Sequence, residues 1–349
     1  MGKSIKTFLA GLLILFFTIP AFGEHFRVVG SWGFLSIHKN IEGPFWSQGI
    51  KDQTDGKLTA EIVSTLGQIN VNGVGLLRQM DNGIFDVGHT LTNYIVSDCP
   101  ELAGLDMPAL SWNLETANKV VQAYTPVMEE AFKRCFNVKL LGITPFPAQM
   151  VFSKVPINGL ADLKGKKVRG SGWTTAAFLD ALGATGVTTE FSEVVQALNR
   201  GVIDAAIAGS LPGYNAGWGE VTEFLQPIPV GGWALMAAVM NMDTWNGLGD
   251  EKQKMFMEMY EKSVIKPAWA VAEAETTEGI ERLTATGAFK GTTAQMKAIA
   301  VSDEDVALSK KILEDYVLPK YAEQVGPKAA ERWNNTIGKV VGLKAVPKK

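Results

Sequence analysis

The chain has 349 residues, a formal net charge of −3 and 46% hydrophobic residues. That length is enough for two packed domains, and near-neutral charge with scattered lysines and arginines excludes a nucleic-acid surface. The two cysteines, Cys99 and Cys135, either pair, as thiols of exported proteins do, or stay buried and free.

Lys3 and Lys6 open the chain, residues 8–19 are apolar, and Ala21 and Gly23 are small. This pattern predicts a signal peptide cleaved after Gly23. The apolar run is shorter than the roughly 20 residues of a membrane span. An uncleaved anchor is the alternative, and both place the folded part outside the cytoplasm. No later stretch is apolar enough to cross a bilayer.

Residues 26–31 read as a first strand, followed by an aromatic loop with Trp32 and Phe34. A helix over 41–54, a strand over 58–64, a helix carrying Val74, Leu77 and Met80, and a strand from Phe85 complete a strand–helix–strand series. Such a series predicts a parallel sheet. The helix–glycine–strand pattern of 76–86 returns over 194–204, each copy ending in aspartate (Asp86, Asp204). One supersecondary module thus stands once in each of two similar lobes. Between them come a helix over 112–136 and a strand over 138–143 interrupted near Pro145 and Pro147. Gly231 and Gly232 offer hinge dihedrals between the second lobe and a returning strand over 234–240. Residues 250–283 predict one helix of about 50 Å, kinked at Pro267 and long enough to lie across both lobes. Residues 302–343 give further helices broken near Pro319 and Pro327. The lobes expected are 24–141 with 233–274, and 142–232 with 275–349.

Arg169 ends a short strand, and Gly170 and Gly172 turn the chain after it. An arginine so placed either presents its planar fork of donors to a carboxylate or sits on a charged surface turn beside Lys164, Lys166 and Lys167. The run from Asp162 to Arg169 resembles a signature of the solute-binding proteins of TRAP transporters, DctP type. So do Leu182-Gly183-Ala184, Phe191-Ser192-Glu193-Val194, Gly201-Val202-Ile203-Asp204, Leu66-Gly67-Gln68 and the stretch from Gln79 to Asp86. They stand in the family's order and spacing over most of the chain. The resemblance implies a periplasmic α/β protein of two lobes, type II-like, with parallel-rich sheets flanked by helices. It implies that Arg169 clamps the carboxylate of an organic acid between the lobes, and that the protein passes this acid to the small and large membrane subunits of a sodium-driven transporter.

The chain departs from the family where Ala148 and Gln149 stand near an expected arginine, and where Ile207-Ala208-Gly209 replaces a Glu-Asn-Pro-like run. The site is therefore less polar. Trp32, Phe34, Phe146, Trp173, Trp218 and Trp233 fall where cleft loops belong, so the expected ligand is an aromatic or hydrophobic monocarboxylate. For each ring the alternative is a place in the core. His89, at the end of a strand, and Asn93 are candidates for a ligand's oxo or hydroxyl group; a structural histidine is the alternative. No metalloprotease, nucleophile-elbow, Walker or zinc pattern occurs, so neither an enzyme nor a cofactor is expected, and the protein is expected to be a monomer. An ABC-type binding protein, a ligand-presenting sensor module and an exported enzyme remain the competing readings.

Overall fold

The computed structural model describes residues 23–69, 71, 73–289 and 295–348; the expected signal peptide up to residue 22 lies outside them. Eleven strands are described: β1 Glu24–Gly30, β2 Leu58–Thr65, β3 Val87–Leu91, β4 Val138–Thr144, β5 Gln149–Ser153, β6 Lys167–Gly170, β7 Thr185–Thr188, β8 Ala205–Gly209, β9 Phe224–Gln226, β10 Met236–Asn241 and β11 Lys297–Ala298. They form two sheets, ordered β2-β1-β3-β10-β4 and β11-β9-β5-β8-β6-β7. In the first, β1 runs parallel to β2 and β3, and β10 runs antiparallel between β3 and β4. In the second, β6 runs parallel to β7 and β8, and β5 runs antiparallel between β8 and β9. Each sheet is thus parallel on one side and carries one antiparallel strand, β10 in the first and β5 in the second, supplied by the segments that cross between the lobes. β5 follows β4 out of the first lobe, and β10 follows β9 out of the second.

The repeated module is visible in hydrogen bonds. Asp86 accepts the Arg27 N–H on its side chain at 2.8 Å, and Asp204 accepts the Lys167 N–H at 2.9 Å. The Asp86 and Asp204 N–H groups return to the Arg27 and Lys167 carbonyls at 3.0 and 2.8 Å. Gly83 and Gly201 end the preceding helices with φ of 72° and 68°, a region that glycine enters without steric cost. The same sequence pattern therefore solves the same problem twice: it ends a helix and locks the start of a core strand to its parallel neighbour.

The helix Leu114–Phe136 is capped by Asn113, whose side chain accepts the Thr116 N–H at 2.8 Å. It carries Cys135, which forms a disulfide with Cys99 and so ties the helix to the loop that follows β3.

The long helix is present. Gly249 breaks its first turns with φ 71°, and helical backbone then runs through Tyr260, a π-turn at Glu261–Ile265, and Lys266–Thr284. Pro267 has no N–H to donate, and the wide turn just before it lets the Lys266 N–H reach the Glu261 carbonyl instead. The first half packs Phe256 and Tyr260 against Phe26, Phe45 and Trp46 under the first sheet. Farther on, the Trp269 indole donates to the Ile143 carbonyl at 2.9 Å, and the Thr276 carbonyl accepts from Ser210 at 2.8 Å. At Gly279 the helix touches the second lobe so closely that an added Cβ would lie 2.1 Å from the Leu211 nitrogen.

In the tail, Asp305 bonds to the Leu160 N–H and to Gln226 in the second lobe. Tyr321 and Trp333, however, donate to the Glu101 and Gly104 carbonyls of the first. The tail thus touches both lobes, because the last helices have aromatic donors that match carbonyls of the loop after β3.

Replacing Gly279 with alanine forces the long helix off the second lobe, and should cost about 1–3 kcal/mol of stability. Urea unfolding of the variant and the parent measures it.

Candidate functional site

The parallel strands of both sheets point their C-terminal ends at a common crevice, the place where open α/β sheets bind ligands. Trp32 follows β1, Leu91 ends β3 and Tyr94 lies just beyond it. From the other lobe come Arg169 in β6, Ser171 after it, and Gly209 at the end of β8. The two segments that cross between lobes supply Phe146, Gln149 and Ala234. These residues line one pocket between the lobes.

The crossing segments are bonded to each other. Phe146 N–H donates to the Trp233 carbonyl at 2.8 Å and Gln149 N–H to the Gly232 carbonyl at 2.9 Å. Asp106 accepts the Trp233 and Leu235 N–H groups at 2.9 and 3.4 Å. Burial pushes the Asp106 carboxyl up to about 6 against the pull of these donors. The glycines expected as hinge residues are required here by close approach. A Cβ on Gly231 would lie 2.3 Å from Ile207, and one on Gly232, where φ is 73°, would lie 2.1 Å from Asp106.

Arg169 is 1% exposed, so it is not a surface arginine. Its Nε donates to the Thr189 carbonyl at 2.8 Å and its Nη1 to the Ile207 carbonyl at 2.7 Å. Two of its five N–H groups thereby fix the plane of the guanidinium, which borders the cavity. Burial lowers its pKa, opposed by the nearby Tyr94 hydroxyl and Glu190 carboxylate. Tyr94 reaches across from the first lobe, and its hydroxyl accepts the Phe191 N–H at 3.3 Å. It also lies near Glu190, whose pKa is raised by burial and pulled down by Tyr94 and Arg169.

Of the residues expected at the site, Arg169, Trp32, Phe146 and Gln149 share this cavity. The Gln149 amide is anchored to the Pro147 carbonyl at 2.8 Å. Phe34 lies at the rim, 38% exposed and stacked on Phe191 with centroids 6.3 Å apart. Asn93 and Trp173 line a separate groove on the other side of Tyr94. Trp218 is fully buried between Phe152 and Phe191, and Trp233 donates its indole N–H to the Ser111 carbonyl, so neither borders the cavity. Tyr94 and Phe191 do border it, and sequence reasoning did not single them out. Phe191 meets Trp32 at 5.5 Å and Trp218 at 5.3 Å; its place in a recurring motif was the available signal.

His89 is not in the crevice. Its Nδ1 lies 2.9 Å from the Val29 carbonyl, and its Nε2 lies 3.4 Å from the Tyr260 hydroxyl. An alternating strand turns this side chain toward the face covered by the long helix. There it belongs to a buried network centred on Glu42, which accepts the Ser31 N–H at 2.7 Å and contacts His38 at 3.1 Å. This network fixes Ser31, the residue before Trp32. Although burial alone would raise it, the Glu42 carboxyl is held down at about 2 by His89, His38 and Ser31.

Among the described residues no group of three or more histidine, cysteine or acidic side chains is placed to hold a metal ion, and no helix is long and apolar enough to cross a membrane.

The family model for DctP, bacterial extracellular solute-binding protein, family 7, matches residues 37–312. An uncharacterized protein of Salmonella typhimurium, YiiZ, is 25% identical over 184 residues, which are 52% of this chain and 55% of that protein. The chain thus matches little more than half the length of that curated relative. A TRAP periplasmic solute-binding protein from Desulfovibrio salexigens with bound orotic acid superposes with a TM-score of 0.79 at 17% identity, covering 91% of this chain and 99% of that one. DctP6 of Bordetella pertussis, a receptor binding pyroglutamic acid, gives 0.78 at 19% identity, covering 90% and 99%. The ectoine-binding protein of the Halomonas elongata TeaABC TRAP transporter gives 0.77 at 18% identity, covering 92% and 100%. At these identities the likeness establishes the fold.

Glu42 has a folded pKa below its ordinary value, so the stability it contributes is full above about pH 4.5 and is lost as pH falls toward 2. Glu42→Gln should destabilise the protein by about 3 kcal/mol at pH 7, and this deficit should shrink across that window. Denaturant titrations of parent and variant between pH 2 and 7 check it.

Proposed function

This chain belongs to the DctP family of bacterial extracellular solute-binding proteins, and from that premise we propose that it captures a small organic acid between its lobes for a TRAP transporter. The observation that carries the reading is Arg169: a buried guanidinium, its plane set by the Thr189 and Ile207 carbonyls, bordering a crevice walled by Trp32, Phe146 and Phe191. A charged hydrogen bond to a carboxylate contributes roughly 1.5–3 kcal/mol, enough to favour acids over neutral solutes. The rings favour an acid with a flat or bulky apolar body, such as an indole or phenyl 2-oxo acid. The family is one of binding proteins, and the protein is not an enzyme.

The lobes part about the two crossing segments, admit the acid, and close on it. A carboxylate on Arg169 stabilises the closed form, because closure otherwise buries a guanidinium with donors left over. The closed form is the one read by the membrane subunits, and the protein works in the periplasm as a monomer. The bound molecules named for similar structures, orotic acid and pyroglutamic acid, are compact ring acids.

A thermal-shift screen of organic acids tests this. A true ligand at a hundred times its Kd should stabilise the protein by about 2.7 kcal/mol, and indole or phenyl acids should stabilise it more than succinate. The reverse order removes the aromatic reading. Arg169→Ala should abolish the shift, and Arg169→Lys should fail to restore it, because an ammonium lacks the fork that spans both carbonyls and still faces the ligand. A ligand bound equally well by both variants would place the clamp elsewhere.

A further inference from the structure

Arg169 is not the only charge at the crevice. Its Nε is tied to the Thr189 carbonyl, which places the next residue, Glu190, beside it. Glu190 interacts electrostatically with Arg169 and with the Tyr94 hydroxyl of the opposite lobe. Trp32 and Tyr94, which wall the Arg169 cavity, also wall a neighbouring pocket that is lined by Glu190 and Glu193. Among the described residues lining these two spaces there is no lysine and no second arginine. The two neighbouring pockets, which meet at Trp32 and Tyr94, thus hold one cation in one and two carboxylates in the other.

On the reading of Arg169 as the ligand clamp, we propose that Glu190, with Glu193 beside it, is a specificity determinant that limits the ligand to one negative charge and favours a cationic or N–H-bearing group elsewhere on it. A ligand's first carboxylate is matched by Arg169. A second has no cationic partner among the residues lining either pocket and meets the like charge of half-buried Glu190, which is screened less than an exposed one. An ammonium or ring N–H meets carboxylate acceptors instead. Monoanions and zwitterions are thus admitted, and dicarboxylates are refused by repulsion rather than by shape.

The test uses two sets of acids that keep one carboxylate and change the charge at the other end: butyrate, 4-aminobutyrate and glutarate; and phenylacetate, 4-(aminomethyl)phenylacetate and 1,4-phenylenediacetate. Affinities are measured by calorimetry for the full protein and for Glu190→Gln, Glu190→Ala, Glu193→Gln and Arg169→Ala. In the parent, the doubly anionic member of a set should bind at least tenfold more weakly than the neutral-tailed one. Either Glu190 substitution should narrow that ratio by roughly 10- to 100-fold and weaken the ammonium-tailed acid. A merely structural role would weaken all three members alike and leave the ratio unchanged, which overturns this proposal while Arg169-dependent binding still stands. Binding that survives Arg169→Ala, or no binding by any member of either set, overturns both this proposal and the clamp on which it rests.

Discussion

Two short backbone hydrogen bonds, from Phe146 to Trp233 and from Gln149 to Gly232, decide the architecture of the crevice. They pair the strands that leave one sheet and enter the other, so the lobes meet along a strap instead of dangling on separate linkers. Phe146, Gln149 and Ala234 on that strap become part of the cavity wall. Asp106 then binds the strap to the first lobe through backbone N–H groups, and the absence of side chains at Gly231 and Gly232 lets Ile207, Gln149 and Asp106 close in around it. Bending is possible only where these contacts allow it.

Around this strap the two modules work as mirror supports. The aspartate at the start of each core strand fixes the buried ends of β3 and β8, and the opposite ends of the same strands open on the crevice. Arg169 uses this scaffold economically. Its carbonyl partners come from the segment after β7 and from β8, so the guanidinium is oriented by backbone that the sheet already holds rigid. Such preorganisation lowers the entropy lost when an anion docks.

Much of this was legible in the residues. The helix–glycine–aspartate pattern announced the modules because a glycine with positive φ and a strand-opening acid leave a local signature. The long helix was legible because its apolar spacing runs on past Pro267. What escaped was anything set by which face a strand presents after the chain folds. His89 sits at a strand end, as a ligand residue would, yet its side chain turns into the network with Glu42 and Tyr260. Tyr94 carries no motif, and it reaches Glu190 and Phe191 only because the lobes face each other. Among the tryptophans, local sequence could not separate Trp32 from Trp218, since burial of the latter depends on Phe152 and Phe191 from distant segments. The mixed strand order was likewise hidden, because β10 joins the first sheet from far along the chain and β5 joins the second from the crossing segment.

That exchange of strands bears on how the molecule is made. β4 pairs within its sheet only with β10, so the N-terminal half of the chain carries an unpaired edge until residues 236–241 have been synthesised. Contacts that must wait for so distant a segment form slowly. The first sheet is therefore completed late in folding, by a pairing that spans about a hundred residues of intervening chain.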